Sequence, residues 1–116
     1  MEKFKNLIAW QRAHQLVLKI YKITKKFPNE EKFILVPQIT RAAISIAANL
    51  AEGTKRKSNK DQRHFFNIAE TSLEEVKYYI ILAQDLNYIS HSEHDELINN
   101  AQEVGRIITG LLKSVK

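Results

Sequence analysis

The stretch ITRAAISIAANLAEGTKRKS, residues 39–58, decides the fold of this chain. Advancing about 100° per residue places Arg41, Ser45, Ala48 and Glu52 in one narrow line, with Gln38 and Asn49 beside it. The rest of the circumference is an apolar arc about 200° wide, formed by Ile39, Ala42, Ala43, Ile44, Ile46, Ala47, Leu50 and Ala51. A single bundle core needs a narrower stripe, so the pattern predicts a helix that is buried on more than one side.

Helical periodicity extends on both sides of this stretch, and no segment alternates like a β-strand. The predicted helices are residues 6–27, 37–53, 59–87 and 91–115. Pro28 ends the first helix, Pro37 suits the first turn of the second, and Gly53 is expected to form its left-handed C-terminal cap. Short connections between long amphipathic helices predict an all-α, single-domain, up-and-down four-helix bundle.

Local pairs mark the starts of the last two helices. Ser58 with Asp61, and Ser90 with Glu93, have the spacing of N-terminal capping pairs. The longest connection is residues 28–36, and its Phe33, Ile34 and Leu35 are expected to cover one end of the bundle.

Composition excludes several classes of protein. The 116 residues contain no cysteine, so disulfides, thiolate metal sites and cysteine nucleophiles are ruled out. No apolar run approaches the roughly 20 residues of a membrane helix, and MEKFKNLIAW lacks the apolar segment of a signal peptide. We therefore expect a cytoplasmic protein without a membrane partner.

The net charge of +5 is unevenly distributed. Residues 1–64 carry 14 Lys/Arg against 5 Asp/Glu, whereas residues 65–116 carry 4 against 8. The two halves can be mutually attracting arms of one bundle, complementary faces of neighbouring subunits, or a nucleic-acid face backed by an acidic one.

Two sets of residues are candidates for an interface between subunits. In the second helix they are Arg41, Asn49, Glu52, Ile44, Ala47 and Ala51. In the third helix Tyr78, Ile81 and Leu82 form an apolar cluster on the otherwise polar face that points away from the bundle core. Because the helix dipole opposes a carboxylate at a helix C-terminus, Glu52 should have a cation nearby, from Lys55, Arg56 or a symmetry-related Arg41.

The residues also carry the signature of a known family. LIAW, YKITKKFPNEEKF, QITRAAISIAANLAEGTKRKS, FFNIAETSLEE and AQDLNYIS follow in order, and a leucine-rich last helix completes the set. The chain resembles the four-helix-bundle family named for reading frames in intervening sequences of bacterial 23S rRNA genes. Relatives include the accessory protein of diversity-generating retroelements. The core pattern of the family is matched at Gln38, Arg41, Ala42, Ser45, Ile46, Asn49, Ala51, Glu52 and Gly53. One difference is Thr71, which stands where the family usually has glycine.

The resemblance implies a ring-like homo-oligomer, a pentamer in known relatives. It also implies binding of nucleic acid, or of a reverse transcriptase where the gene lies in a retroelement. The candidate phosphate-binding residues are a basic turn and a stripe on the first helix: Lys55, Arg56, Lys57, Lys60 and Arg63, then Arg12, Lys19, Lys22 and Lys26.

No pattern for catalysis, for a cofactor or for a metal is present. The chain has no Gly-rich phosphate loop and no nucleophile–base set, and His91 with His94 is a spacing that arises easily at a polar helix start. The sequence predicts a non-enzymatic, homo-oligomeric bundle that binds nucleic acid (RNA or DNA) or a nucleic-acid-processing protein through its basic surface. The alternative is a structural adaptor between proteins, whose basic surface meets an acidic patch.

Overall fold

The computed structural model describes residues 3–115, which form four α-helices and two short 3₁₀-helices without any β-strand. The α-helices are α1 (Ile8–Thr24), α2 (Leu35–Lys55), α3 (Asn59–Asp85) and α4 (His91–Ser114). The 3₁₀-helices are Lys3–Asn6, before α1, and Asn29–Glu31, between α1 and α2. The predicted all-α class is confirmed.

The four α-helices pack around one core. Each helix contacts the next along the chain, α4 returns to pack on α1, and the α2–α3 contact is the most extensive. The resulting body measures 44 × 24 × 24 Å, so each end of the bundle is small compared with its sides.

Local capping sets the starts of α3 and α4. The Ser58 hydroxyl accepts a hydrogen bond from the Asp61 N–H at 3.1 Å. Ser90 and Glu93 form a reciprocal capping box, in which each side chain accepts from the other residue's N–H. Both predicted capping pairs are confirmed, because they depend only on residues three positions apart.

Small and polar residues bring α2 close to α3. The Ser45 and Ser72 hydroxyls lie 2.8 Å apart, and the Tyr79 hydroxyl donates to Gln38 Oε1 at 3.4 Å. Asn49 donates to both the carbonyl and the hydroxyl of Ser45, at 2.8 and 3.0 Å. Asn49 therefore has a structural role inside the α2–α3 contact of one chain.

Most of the apolar arc of α2 is covered within a single chain. Six of its eight residues are buried: Ile39, Ala42, Ala43, Ile46, Ala47 and Leu50. Ala51 is half-buried and Ile44 is 42% exposed. Because α1 and α3 flank α2 on both sides, Ala47 is covered by its own chain, which corrects the prediction that another subunit must cover it.

Gly53 is not a left-handed cap, contrary to the sequence-based prediction. α2 continues to Lys55, and no glycine among residues 3–115 has a positive φ. A Cβ placed on Gly53 would lie 2.6 Å from Cε1 of Phe66, a buried side chain of α3. The glycine is therefore required by the close approach of α2 and α3 rather than by backbone conformation.

The connection between α1 and α2 is tied down by Glu31. Its carboxylate accepts from the Tyr88 hydroxyl at 2.6 Å and from the Leu35 N–H at 3.3 Å. The hydrogen bond to this carboxylate raises the pKa of Tyr88 to about 12. Leu35 is buried, but Phe33 and Ile34 are 84% and 65% exposed, so the prediction that these two cover the bundle end is wrong.

The described residues contain no α-helix with the length and apolar character needed to cross a membrane.

Candidate nucleic-acid interface

The connection between α2 and α3 gathers lysines at one end of the bundle. α2 ends at Lys55 and α3 begins at Asn59, so Lys55, Lys57 and Lys60 follow within one short turn. The N-terminal 3₁₀-helix adds Lys3, which lines a surface depression of about 670 Å³ together with Lys55 and Lys57. We call Lys3, Lys55, Lys57 and Lys60 the cationic end surface.

All four lysines of the cationic end surface are exposed. Within residues 3–115, none of them takes part in an ion pair or a side-chain hydrogen bond. The N-terminus of α3 also lies here, and its free N–H groups favour an anion. Asp61, in the first turn of α3, adds one negative charge, so the end keeps a clear positive excess.

Arg56 is largely committed to contacts within the chain. Its guanidinium forms an ion pair with Glu52, one turn earlier in α2, and lies 4.9 Å from the centre of the Phe65 ring. Its carbonyl accepts from Gln62 Nε2 at 3.2 Å. The expectation that Glu52 has a nearby cation is confirmed, and Arg56 supplies it.

Arg63 holds the end of α4. Its guanidinium is half-buried and donates to the Leu112 carbonyl at 3.4 Å and to the Val115 carbonyl. Unpaired carbonyls and a partial negative charge at a helix C-terminus attract a cation. The structure therefore gives Arg63 a stabilising role, which argues against a phosphate contact at this residue.

The basic stripe on α1 is also mostly paired, because three of its cations meet acidic residues of α4. Arg12 Nε lies 3.5 Å from a Glu103 carboxylate oxygen. Lys19 and Lys26 contact Glu96 and Glu93 at 3.2 and 2.8 Å.

The remaining member, Lys22, is exposed and forms no ion pair among the described residues, but it shares a depression with Glu93 and Glu96. The basic and acidic halves of the sequence therefore attract each other within one bundle. This pairing favours a structural role for Arg12, Lys19 and Lys26 over phosphate contact.

One ion pair on this α1–α4 seam has a measurable electrostatic consequence. Lys26 Nζ donates to both carboxylate oxygens of Glu93, at 2.8 Å each. This hydrogen bonding, followed by the Ser90 N–H, lowers the pKa of Glu93 below its ordinary value.

The candidate interface residues lie on two neighbouring helices. Arg41 and Ile44 are exposed on α2, and Arg41 has no hydrogen-bonding or ionic partner in residues 3–115. On α3, Tyr78 and Ile81 are 58% and 46% exposed, whereas Leu82 is half-buried against the core.

The two histidines near the start of α4 are held by an aspartate. His91 Nε2 and His94 Nδ1 lie 3.2 and 2.9 Å from the two carboxylate oxygens of Asp95. In residues 3–115, no group of three or more His, Cys, Asp or Glu side chains is placed to hold a metal ion.

Sequence reasoning placed Lys55, Lys57 and Lys60 correctly at one turn but missed Lys3. The contact between the N-terminal 3₁₀-helix and α2 joins residues about 50 positions apart, so no local sequence pattern predicts it. The pairing of Arg63 with the end of α4 was missed for the same reason.

The fold and this end of the molecule define the class: a small four-helix-bundle protein with a cationic surface at one end. Residues 5–110 match the sequence profile of the 23S rRNA-intervening sequence protein family, and the chain belongs to this family. No curated protein matches the chain.

A similar solved structure supports the assignment. It is the 1.70 Å crystal structure of a protein of unknown function from the S23 ribosomal protein family of Bacteroides thetaiotaomicron VPI-5482. The two chains are 25% identical and superpose with a TM-score of 0.85, over 92% of this chain and 96% of the other.

Proposed function

We propose that this protein is a non-enzymatic, self-assembling helical bundle that binds nucleic acid through the cationic end surface. The observation that carries the proposal is a contrast between two sets of cations. Those on α1 are largely neutralised by α4, whereas Lys3, Lys55, Lys57 and Lys60 have no acidic partner within ion-pair distance in residues 3–115. Unpaired, exposed lysines are free to replace the counterions of a phosphate backbone.

The mode of binding follows from the chemistry of these side chains. A lysine ammonium is a mobile point charge that contacts phosphate but does not read bases by itself. The proposed binding therefore follows charge and shape, with little dependence on base sequence. Assembly of several copies would multiply a weak contact by avidity.

Salt titration of binding tests the proposal. Fluorescence anisotropy would follow labelled RNA and DNA at a series of salt concentrations. If four phosphates are contacted, the plot of log K against log salt has a slope of about −4 on duplex DNA. Reversing Lys55, Lys57 and Lys60 to Glu should remove most of that slope, about one unit per lysine, and weaken binding to every sequence alike.

A matched control reverses the same amount of charge elsewhere. Lys22, Lys25 and Lys32 are exposed and belong to α1 or the connection that follows it, and Lys22 shares a depression with Glu93 and Glu96. Their reversal to Glu should leave the slope unchanged. If instead the Lys55/Lys57/Lys60 variant binds like the unmodified protein, the proposed surface is wrong.

The competing function is a protein–protein adaptor, in which the same lysines meet an acidic protein patch. It predicts no measurable binding of RNA or DNA even at low salt, where phosphate contacts are strongest. The same titration therefore separates the two functions.

A further inference from the structure

Three aromatic rings contact one another in series beside the cationic end surface, one pair edge-on and the other pair stacked. Phe4 meets Trp10 edge-on, with ring centres 5.0 Å apart and planes at 66°. Trp10 and His14 are one helical turn apart on α1, and their rings are parallel within 6° with centres 5.0 Å apart. We call Phe4, Trp10 and His14 the aromatic stack.

The middle ring and the outer ring of the aromatic stack have different environments. Trp10 is half-buried and packs against the core, which fixes its position. His14 is exposed, and one face of its ring is covered by Trp10. Because the two rings are parallel, the opposite face of His14 points away from Trp10, and the His14 residue as a whole is exposed.

An exposed aromatic face held on a fixed ring is a platform for a nucleobase. Stacking is tolerant of base identity because every base presents a π-face. A base in a duplex already stacks on its neighbours, so only an unpaired base can use such a platform.

The aromatic stack is continuous with the cationic end surface through Phe4. This ring lines the same depression as Lys3, Lys55 and Lys57. Phosphate-binding cations and a stacking platform therefore adjoin, which is the combination that single-strand-binding proteins use.

We infer that the cationic end surface and the aromatic stack form one site for single-stranded nucleic acid. The lysines contact the phosphates, and an unpaired base stacks on the outer face of His14. This inference rests on the proposed function and adds the class of ligand, which the charge alone does not select.

The experiment compares three probes on the full-length protein. They are an oligouridine of about 12 nucleotides, which is within the usual size range of single-strand sites, a blunt RNA duplex of equal length, and inorganic polyphosphate, which has charge but no bases. Trp10 is the only tryptophan of the 116 residues, so its fluorescence reports directly on the stack. We expect oligouridine to bind more tightly than the duplex and to change Trp10 emission, whereas polyphosphate leaves the emission unchanged.

Substitutions of His14 test the role of the ring. His14→Ala should weaken oligouridine binding about tenfold, the usual cost of losing one stacked base, and should leave duplex binding unchanged. His14→Phe keeps a ring and should restore oligouridine binding. His91→Ala, at an exposed histidine of α4, is the matched control and should bind like the unmodified protein. Thermal melting monitored by circular dichroism verifies that each variant is folded.

The outcomes separate this inference from the proposed function. If His14→Ala binds oligouridine normally while reversal of the three lysines abolishes binding, the stacking site is wrong and the proposed function stands. Equal affinities for oligouridine and duplex would also overturn the stacking site. If none of the three probes binds the unmodified protein, both proposals fail.

Discussion

At the scale of single residues, the same residue type can have different tasks, and its contacts decide which. Arg56 and Arg63 both belong to the predicted basic turn, yet one neutralises Glu52 and the other holds carbonyls at the end of α4. Lys57, between them in sequence, remains exposed and unpaired among the described residues. The capping roles of Ser58 and Ser90 were predictable because their partners are three residues away. The partner of Arg63 lies 52 residues away, and sequence spacing does not encode it.

Gly53 provides the test at this scale. Gly53→Ala should destabilise the fold by about 1–3 kcal/mol, the usual cost of forcing extra volume into a packed core, because the new Cβ would meet the buried Phe66 ring. Urea denaturation measures the loss of stability.

Gly110→Ala in α4 is the control, because no atom lies within 4 Å of its added Cβ. It should be neutral or stabilising by up to about 1 kcal/mol. Equal urea midpoints for the two variants would contradict the proposed α2–α3 clash.

At the scale of helices, the uneven charge of the sequence is explained by how α1 lies against α4. Arg12, Lys19 and Lys26 recur every seven residues, so they occupy one edge of α1. Their partners Glu103, Glu96 and Glu93 run in the opposite order along α4, as expected for antiparallel helices. The sequence showed the two charged rows but left open whether they meet within a chain, meet between chains or bind nucleic acid. The packing of α1 on α4 shows that the two charged rows meet within one chain.

The Lys26–Glu93 pair makes this seam sensitive to acid. The folded state lowers the pKa of Glu93 below its ordinary value of 4.5, chiefly through Lys26. A lowered pKa contributes stability that is present above the ordinary value and is lost as the pH falls through the folded-state value. Glu93→Gln keeps a side chain that can close the capping box but removes the ion pair. Its melting temperature should be modestly below that of the unmodified protein at pH 7, and the gap should close toward pH 3.

Glu75→Gln is the control for this measurement. Glu75 is exposed and forms no ion pair within residues 3–115, so the substitution should not change the melting temperature at any of these pH values. A gap between the unmodified protein and Glu93→Gln that is constant from pH 7 to pH 3 would show that Glu93 does not act through its charge.

At the scale of the whole molecule, the exposed apolar side chains favour self-assembly. The wide apolar arc of α2 gives little support to the predicted assembly, because α1 and α3 cover most of that arc within one chain. The candidate interface residues that stay exposed and apolar are fewer: Ile44 on α2, with Tyr78 and Ile81 on the adjacent α3. Single exposed apolar residues are common on monomers, whereas a contiguous apolar patch indicates an interaction surface. We predict that these three side chains form such a patch. Arg41, exposed on the same helix as Ile44, would supply a polar contact at its rim.

The mass of the protein in solution tests this assembly. Light scattering at micromolar concentration should give several times the 13.5 kDa of one chain. Ile44→Lys combined with Ile81→Lys should reduce the mass to that of one chain without unfolding it, because both side chains are already partly in water and a charge in an apolar interface is costly. Ile8→Lys, at a residue 50% exposed on α1, is the matched control and should retain the assembled mass. An unmodified protein of 13.5 kDa would rule out assembly at this concentration, and an assembled double variant would place the interface elsewhere.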